Sequence, residues 1–119
     1  MYFEDKDGFS ELNDELMKLS KKADSSKDAR IQFKQITLYI ELLKNQGTKM
    51  SPNITKPLED EIWELRPGFN RVLYFYFENN TFVLLHMFRK KIQKTPKSEI
   101  EKAHKECNDY KIRNGGKEL

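Results

Sequence analysis

Apolar side chains recur along this chain first at helical and then at strand spacing. Phe9, Leu12, Leu16 and Leu19 stand three and four residues apart, which predicts an amphipathic helix. Ser10 is placed to cap it. Glu11, Asp14 and Glu15 suit the positive end of its dipole, and Lys21 and Lys22 the negative end. The polar break Asp24-Ser25-Ser26 precedes a second stripe of Ala29, Phe33, Ile36, Ile40 and Leu43, broadened by Tyr39 and Leu42 and stopped by Gly47. Two helices with so short a connection predict an antiparallel helical hairpin.

Residues 48–57 are polar, contain two prolines and predict a loop. The period then changes. Residues 58–66, with Ile62, Trp63 and Leu65, predict a strand that ends at the turn dipeptide Pro67-Gly68. Residues 71–77 and 81–88 are rich in β-branched and aromatic side chains and predict two more strands, joined by a turn at Glu78-Asn79-Asn80. A regular hairpin would pair Phe77 with Phe82, Phe75 with Leu84 and Leu73 with His86. Alternation then puts Arg71, Leu73, His86 and Phe88 on one face and Tyr74, Tyr76, Leu85 and Met87 on the other. Both faces are largely apolar, so the hairpin is expected to be covered on both sides. After a basic linker at residues 89–94, Thr95 is placed as the cap and Pro96 as the first residue of a last helix, with Ile100, Ala103, Cys107 and Tyr110 as its apolar stripe. With a short strand at residues 2–4, the order is β-α-α-β-β-β-α, an α+β class. It forms one domain over residues 1–112, with residues 113–119 as a flexible tail.

Composition narrows this picture only a little. The 119 residues suffice for a single core, and 37% hydrophobic with 12% aromatic content excludes a wholly disordered chain. No apolar run is long enough to cross a bilayer, and the first residues lack a secretory signal, so a soluble cytoplasmic protein without membrane contact is expected. A single cysteine leaves no intrachain disulfide, and no Cys/His spacing suggests zinc; no cofactor is expected.

Charge matters through its distribution. The net charge is only +3, yet Arg89, Lys90, Lys91, Lys94 and Lys97 fall in one stretch without an acidic residue, and Arg66 and Arg71 lie just upstream on neighbouring strands. Cations gathered this way suit phosphate, since each contact releases condensed counterions and arginine adds bidentate geometry. A solvated lysine-rich linker has the same pattern. His86, between Leu85 and Met87, reads either as a satisfied core histidine or as a base that titrates beside bound phosphate. His104 is expected to face solvent and Cys107 to lie in the core without an activating neighbour. Tyr74 and Tyr76 read as core or as stacking platforms. Glu59, Asp60, Glu61 and Glu64 read as a solvated strand face.

Several motifs together carry a family resemblance: KPLEDEIWELRPG from Lys56, NRVLYFYF from Asn70, TFVLLHMFRKK from Thr81 and QKTPKSEIEKA from Gln93, with KDARI from Lys27 and YIELL from Tyr39. In this order they resemble the phage-derived HigB-like branch of the RelE/ParE toxin superfamily. The resemblance implies a RelE-like fold, a twisted, mostly antiparallel sheet with the two N-terminal helices on one face. It implies the toxin of a type II toxin–antitoxin pair, a ribosome-dependent endoribonuclease that cuts mRNA in the ribosomal A site by 2′-hydroxyl attack on the scissile phosphate. The implied partners are mRNA, ribosomal RNA and a HigA-like helix-turn-helix antitoxin, with operator DNA reached only through the antitoxin.

Residue by residue, Arg71 matches the arginine that begins the third strand of such toxins and would bind the scissile phosphate. Lys91 or Lys90 matches the basic residue after the fourth strand, which would protonate or neutralise the leaving oxygen, and Arg66 supplies another cation. Arg89, Lys94 and Lys97 are expected to contact RNA. Such toxins often carry a tyrosine near the last helix; here Lys97 and its neighbours stand there, which leaves His86 as candidate base if the face carrying Arg71 is open to substrate. Two other readings share parts of the pattern, a ParE-like toxin that poisons gyrase and a non-enzymatic RNA- or ribosome-binding module. Cations converging on one point favour cleavage.

Overall fold

Two serines open the helical half of the chain. The structure, a computed structural model, describes residues 1–115. Ser10 Oγ accepts a hydrogen bond from the Asn13 N–H at 3.1 Å and starts α1 (Glu11–Lys22). Ser26 Oγ accepts from the Ala29 N–H at 3.2 Å and starts α2 (Lys27–Gln46). Each hydroxyl satisfies a donor that the first helical turn leaves without a partner. Gly47, at φ 62°, ends α2 with its N–H bonded to the Leu43 carbonyl. Phe9 departs from its expected stripe, because the helix begins after it and leaves the ring exposed.

The strands form one antiparallel sheet in the order β1-β2-β3-β4: β1 (Thr55–Glu59), β2 (Ile62–Leu65), β3 (Asn70–Tyr76) and β4 (Phe82–Arg89). The segment 58–66, expected as one strand, is the tip and second arm of a hairpin. Asp60 adopts φ 51° and reverses the chain, so that Thr55 faces Leu65 and Pro57 faces Trp63. Asp tolerates this left-handed conformation, and Pro57 is tolerated because β1 is an edge strand. The strand expected at residues 2–4 shrinks to a single parallel bridge of Tyr2 with Leu84, flanked by hydrogen bonds from Phe3 N–H to Leu84 O and from Leu84 N–H to Met1 O.

In the β3–β4 hairpin, Leu73 faces His86 as expected, but Phe75 faces Val83 and Tyr76 faces Phe82. The register shifts between Leu73 and Tyr74, where a bulge takes up Leu85 as an extra residue. Leu85 therefore packs with Leu73 and Phe75, on the face opposite to the one that strict alternation assigned it.

Both faces of the sheet are covered. Leu12, Leu16, Ile36 and Ile40 of the helical hairpin pack on Leu65, Val72, Tyr74 and Leu84. On the other side Ala103, Cys107 and Tyr110 of α3 (Lys97–Asn114) pack on Ile62, Leu73, Phe75 and Val83. α3 starts later than expected, with Pro96 before its first residue, and Thr95 bonds elsewhere instead of capping it. It also ends later. The tail was expected from residue 113, but Arg113 is helical and its guanidinium bonds the Asp5 and Glu4 carbonyls; of that tail, residues 116–119 lie outside the described residues. Among the described residues, no helix is long and apolar enough to cross a membrane.

Candidate nucleic-acid interface

With this strand order, the start of β1, the end of β2, the start of β3 and the end of β4 meet at one end of the sheet. Lys56, Arg66, Arg71 and the 89–97 segment, far apart in sequence, are brought there together. An open pocket of about 520 Å³ has Lys56, Glu64, Arg66, Lys94 and Lys97 in its lining, four cations against one carboxylate. A second depression, of about 340 Å³, is lined by Phe69, Lys90, Lys91, Ile92 and Gln93. The two share Ile92 and Gln93 and so adjoin.

Glu64 organises the first pocket, and it corrects the expectation of a solvated strand face. It is 2% exposed. One carboxylate oxygen accepts from the Thr95 hydroxyl. The other stands 3.4 Å from Arg66 Nε and 3.9 Å from Arg71 Nε. The Arg66 Nε hydrogen is buried without a hydrogen-bond acceptor, while its Nη1 donates to the Pro52 carbonyl at 2.9 Å. Glu59, Asp60 and Glu61 are exposed at the β1–β2 turn, at the opposite end of these strands.

Arg71 is more deeply placed than a residue awaiting substrate was expected to be. It is 5% exposed, and its Nη1 donates to the carbonyls of Gly68 at 2.7 Å and Asn70 at 2.8 Å. Burial draws its guanidinium below the usual value; Glu64 opposes the shift and Arg66 adds to it. Arg71 thus braces the turn between β2 and β3. Gly68 there has φ 63°, a left-handed conformation that glycine adopts without strain and other residues rarely do. The Lys90 N–H closes the same turn by donating to the Phe69 carbonyl at 2.7 Å. Lys91, Lys94 and Lys97 are exposed, Lys90 is half-buried, and the Arg89 guanidinium lies 5.8 Å from the centre of the Phe69 ring.

His86 is not part of this surface. It is 1% exposed, with Nδ1 2.6 Å from Glu106 and Nε2 2.9 Å from Glu99, both on α3. The condition attached to it as a base, an open face, is not met, because α3 covers the sheet there. Its core reading holds. Tyr74 is likewise core: its hydroxyl is 2.6 Å from Thr55 Oγ1, and burial pushes its pKa up to about 12. Tyr76 is half exposed, but near the Asn79-Asn80 turn, away from the cations. Burial, and after it Glu61, push the Cys107 thiol up to about 12, which leaves it inert. His104 is partly exposed and bonds Glu59 at 2.8 Å; with Asp60 these are three groups whose ligand atoms lie within 4.8 Å of one another, already joined by a hydrogen bond.

Sequence reasoning missed Glu64, Thr95 and Phe69 in this region. Glu64 sits between Trp63 and Leu65 with nothing in the pattern to tell a buried carboxylate from an exposed one.

The model of the phage-derived protein Gp49-like (DUF891) family matches residues 14–108, which span most of the helical hairpin, the whole sheet and most of α3. No curated protein matches the chain.

Proposed function

Since the chain belongs to the phage-derived Gp49-like family, a toxin-like family related to the RelE and HigB toxins, we propose that it is the toxin of a type II toxin–antitoxin pair and a ribosome-dependent mRNA endoribonuclease. The observation that carries this reading is the convergence of Lys56, Arg66, Arg71, Lys90, Lys91, Lys94 and Lys97 at one end of the sheet, where the buried Glu64 carboxylate stands beside Arg66 and Arg71. In the proposed reaction the ribose 2′-oxygen forms a bond to phosphorus as the bond to the 5′-oxygen breaks. The 2′-hydroxyl proton is lost to a base, the leaving 5′-oxygen takes up a proton, the products are a 2′,3′-cyclic phosphate and a 5′-hydroxyl, and charge builds on the phosphate oxygens as the two bonds exchange.

Fixed cations aimed at that charge lower the barrier without reorganising. Arg66, which lines the open pocket, fits this electrostatic task, buried Arg71 acts behind it by bracing the β2–β3 turn, and Lys90 or Lys91 fits protonation of the leaving oxygen. The burial of His86 removes the one histidine weighed as a base. A site built of charge stabilises the transition state but does little to align attacking oxygen, phosphorus and leaving oxygen, and in this proposal the ribosome supplies the alignment. The proposed inhibitor is a HigA-like antitoxin.

Purified protein is incubated with naked mRNA and, separately, with a translating extract, and the cuts are mapped by primer extension. Cleavage is expected only in the extract, with 5′-hydroxyl ends, and is expected to stop when the antitoxin is co-expressed. Equal cutting of naked mRNA would remove the ribosome from the mechanism.

A further inference from the structure

A large aromatic ring stands open beside the cations. Phe69 is 67% exposed and Ile92, which lines the same depression, 59%. Phe69 is nonetheless held in place. Its carbonyl accepts from the Lys90 N–H, and the preceding Gly68 carbonyl accepts from Arg71. The ring has an Arg89 guanidinium 5.8 Å from its centre, a cation–π arrangement that leaves its other face to solvent.

We propose that Phe69, backed by Arg89, is the stacking platform for one unpaired RNA base, with Lys90 and Lys91 gripping the adjacent phosphates. The inference rests on the RNA reading above and adds to it a contact with a base. An exposed aromatic face beside a basic track is the usual recipe for holding single-stranded nucleic acid: the ring takes any base by its π-face while lysines neutralise the backbone. Charge argues against a protein occupant of ordinary composition, because residues 89–97 contain no acid and an apolar side chain on Phe69 would bring no counter-charge to Arg89, Lys90 and Lys91. Bracing by Arg71 and Lys90 means little ordering is left to be done on binding.

The test is fluorescence anisotropy of a labelled ten-nucleotide RNA, and of an abasic strand of the same length and charge, with the full-length wild type, Phe69→Ala, Phe69→Trp and Lys91→Ala. Stacking of one base is worth roughly fivefold to 150-fold in affinity. Phe69→Ala is therefore expected to weaken intact RNA by at least about fivefold, to bind the abasic strand like wild type, and to keep the wild-type salt dependence. Phe69→Trp is expected to bind as tightly as wild type. Lys91→Ala is expected to weaken both strands and flatten the salt dependence. If Lys91→Ala weakens binding and Phe69→Ala does not, this inference fails and the RNA reading stands. Equal losses on intact and abasic strands, or loss of antitoxin binding in place of RNA binding, also overturn it. A wild type with no salt-dependent RNA binding overturns this inference, while the ribosome-dependent reading stands or falls on cleavage in the translating extract.

Discussion

Replacing Glu64 by alanine tests whether one buried carboxylate holds the cationic end together. Glu64 and Arg71 have side chains only 2% and 6% exposed, and Arg66 is 24% exposed. At the observed separations of 3.4 and 3.9 Å, each arginine attracts the carboxylate by about 4–5 kcal/mol at an effective dielectric of ~20. Desolvation of the three groups offsets most of that gain, so the net worth of the cluster is small. Removal of the anion alone is another matter, because the desolvation of the arginines is then uncompensated, typically at about 3–5 kcal/mol. Partial exposure of Arg66 keeps the loss at the lower end, and the Thr95 hydroxyl adds about 1 kcal/mol by losing its acceptor. Glu64→Ala is thus expected to lose about 3–4 kcal/mol, a large share of the stability of a domain this size. The melting temperature would fall by roughly 10–20 °C. Glu64→Gln keeps the shape and an acceptor for Thr95 and should lose about half as much. Thermal melts followed by circular dichroism read both. A Glu64→Ala protein within ~1 kcal/mol of wild type would mean that the arginines are held together by something other than this carboxylate.

Three further outcomes follow from how the remaining groups are placed. Arg71→Ala is expected to abolish growth arrest and also to destabilise the fold by about 1–3 kcal/mol, since the Gly68 and Asn70 carbonyls lose their donor; exposed Lys91→Ala is expected to cut cleavage on programmed ribosomes by roughly 100-fold with an unchanged melt, and normal cleavage by that variant would take Lys91 out of the site. Cys107 and Tyr74 have folded-state pKa values raised to about 12 from ordinary values of 9.0 and 10.0, so their contribution is fully present below pH 9 and is lost as pH rises from 9 towards 12, where the unfolded chain sheds protons that the folded chain keeps. Urea midpoints that fall across that window, with a shallower fall in Cys107→Ala, are the expected record; a flat profile would contradict the burial argument.

What could be read from the residues alone was mostly what is decided locally. Ser10, Ser26 and Gly47 bound two helices by backbone bonds within a single turn, and the stripes between them need no distant partner to be recognised. The divided strand at Asp60 and the extra residue at Leu85 are different. Each is settled by which side chains fit against a neighbour, and alternation along one strand has no access to that. His86 illustrates the same point chemically. Its two readings differ only in whether α3 lies over it, and Glu99 and Glu106, which close around it, are 13 and 20 residues away in sequence.

The cations themselves were legible, because a run without acids and two arginines on neighbouring strands can be counted. Their accessibility was not, and the reason is electrostatic. Two guanidinium groups that approach one carboxylate oxygen to 3.4 and 3.9 Å also repel each other. Such crowding on a sheet of four strands requires a counter-charge placed inward, where it neutralises the neighbours that are buried and leaves the outer lysines free to meet an anion from solvent. Glu64 has that position, between Arg66 and Arg71 and beneath Thr95. Arg71 pairs with it at the cost of its own exposure, and spends its remaining reach on the turn that carries Phe69. The depth of Arg71 and the openness of Phe69 therefore have one cause. A cation drawn inward by Glu64 stiffens the turn above it, and the residue at the tip of that turn stands out into the solvent where a base would arrive.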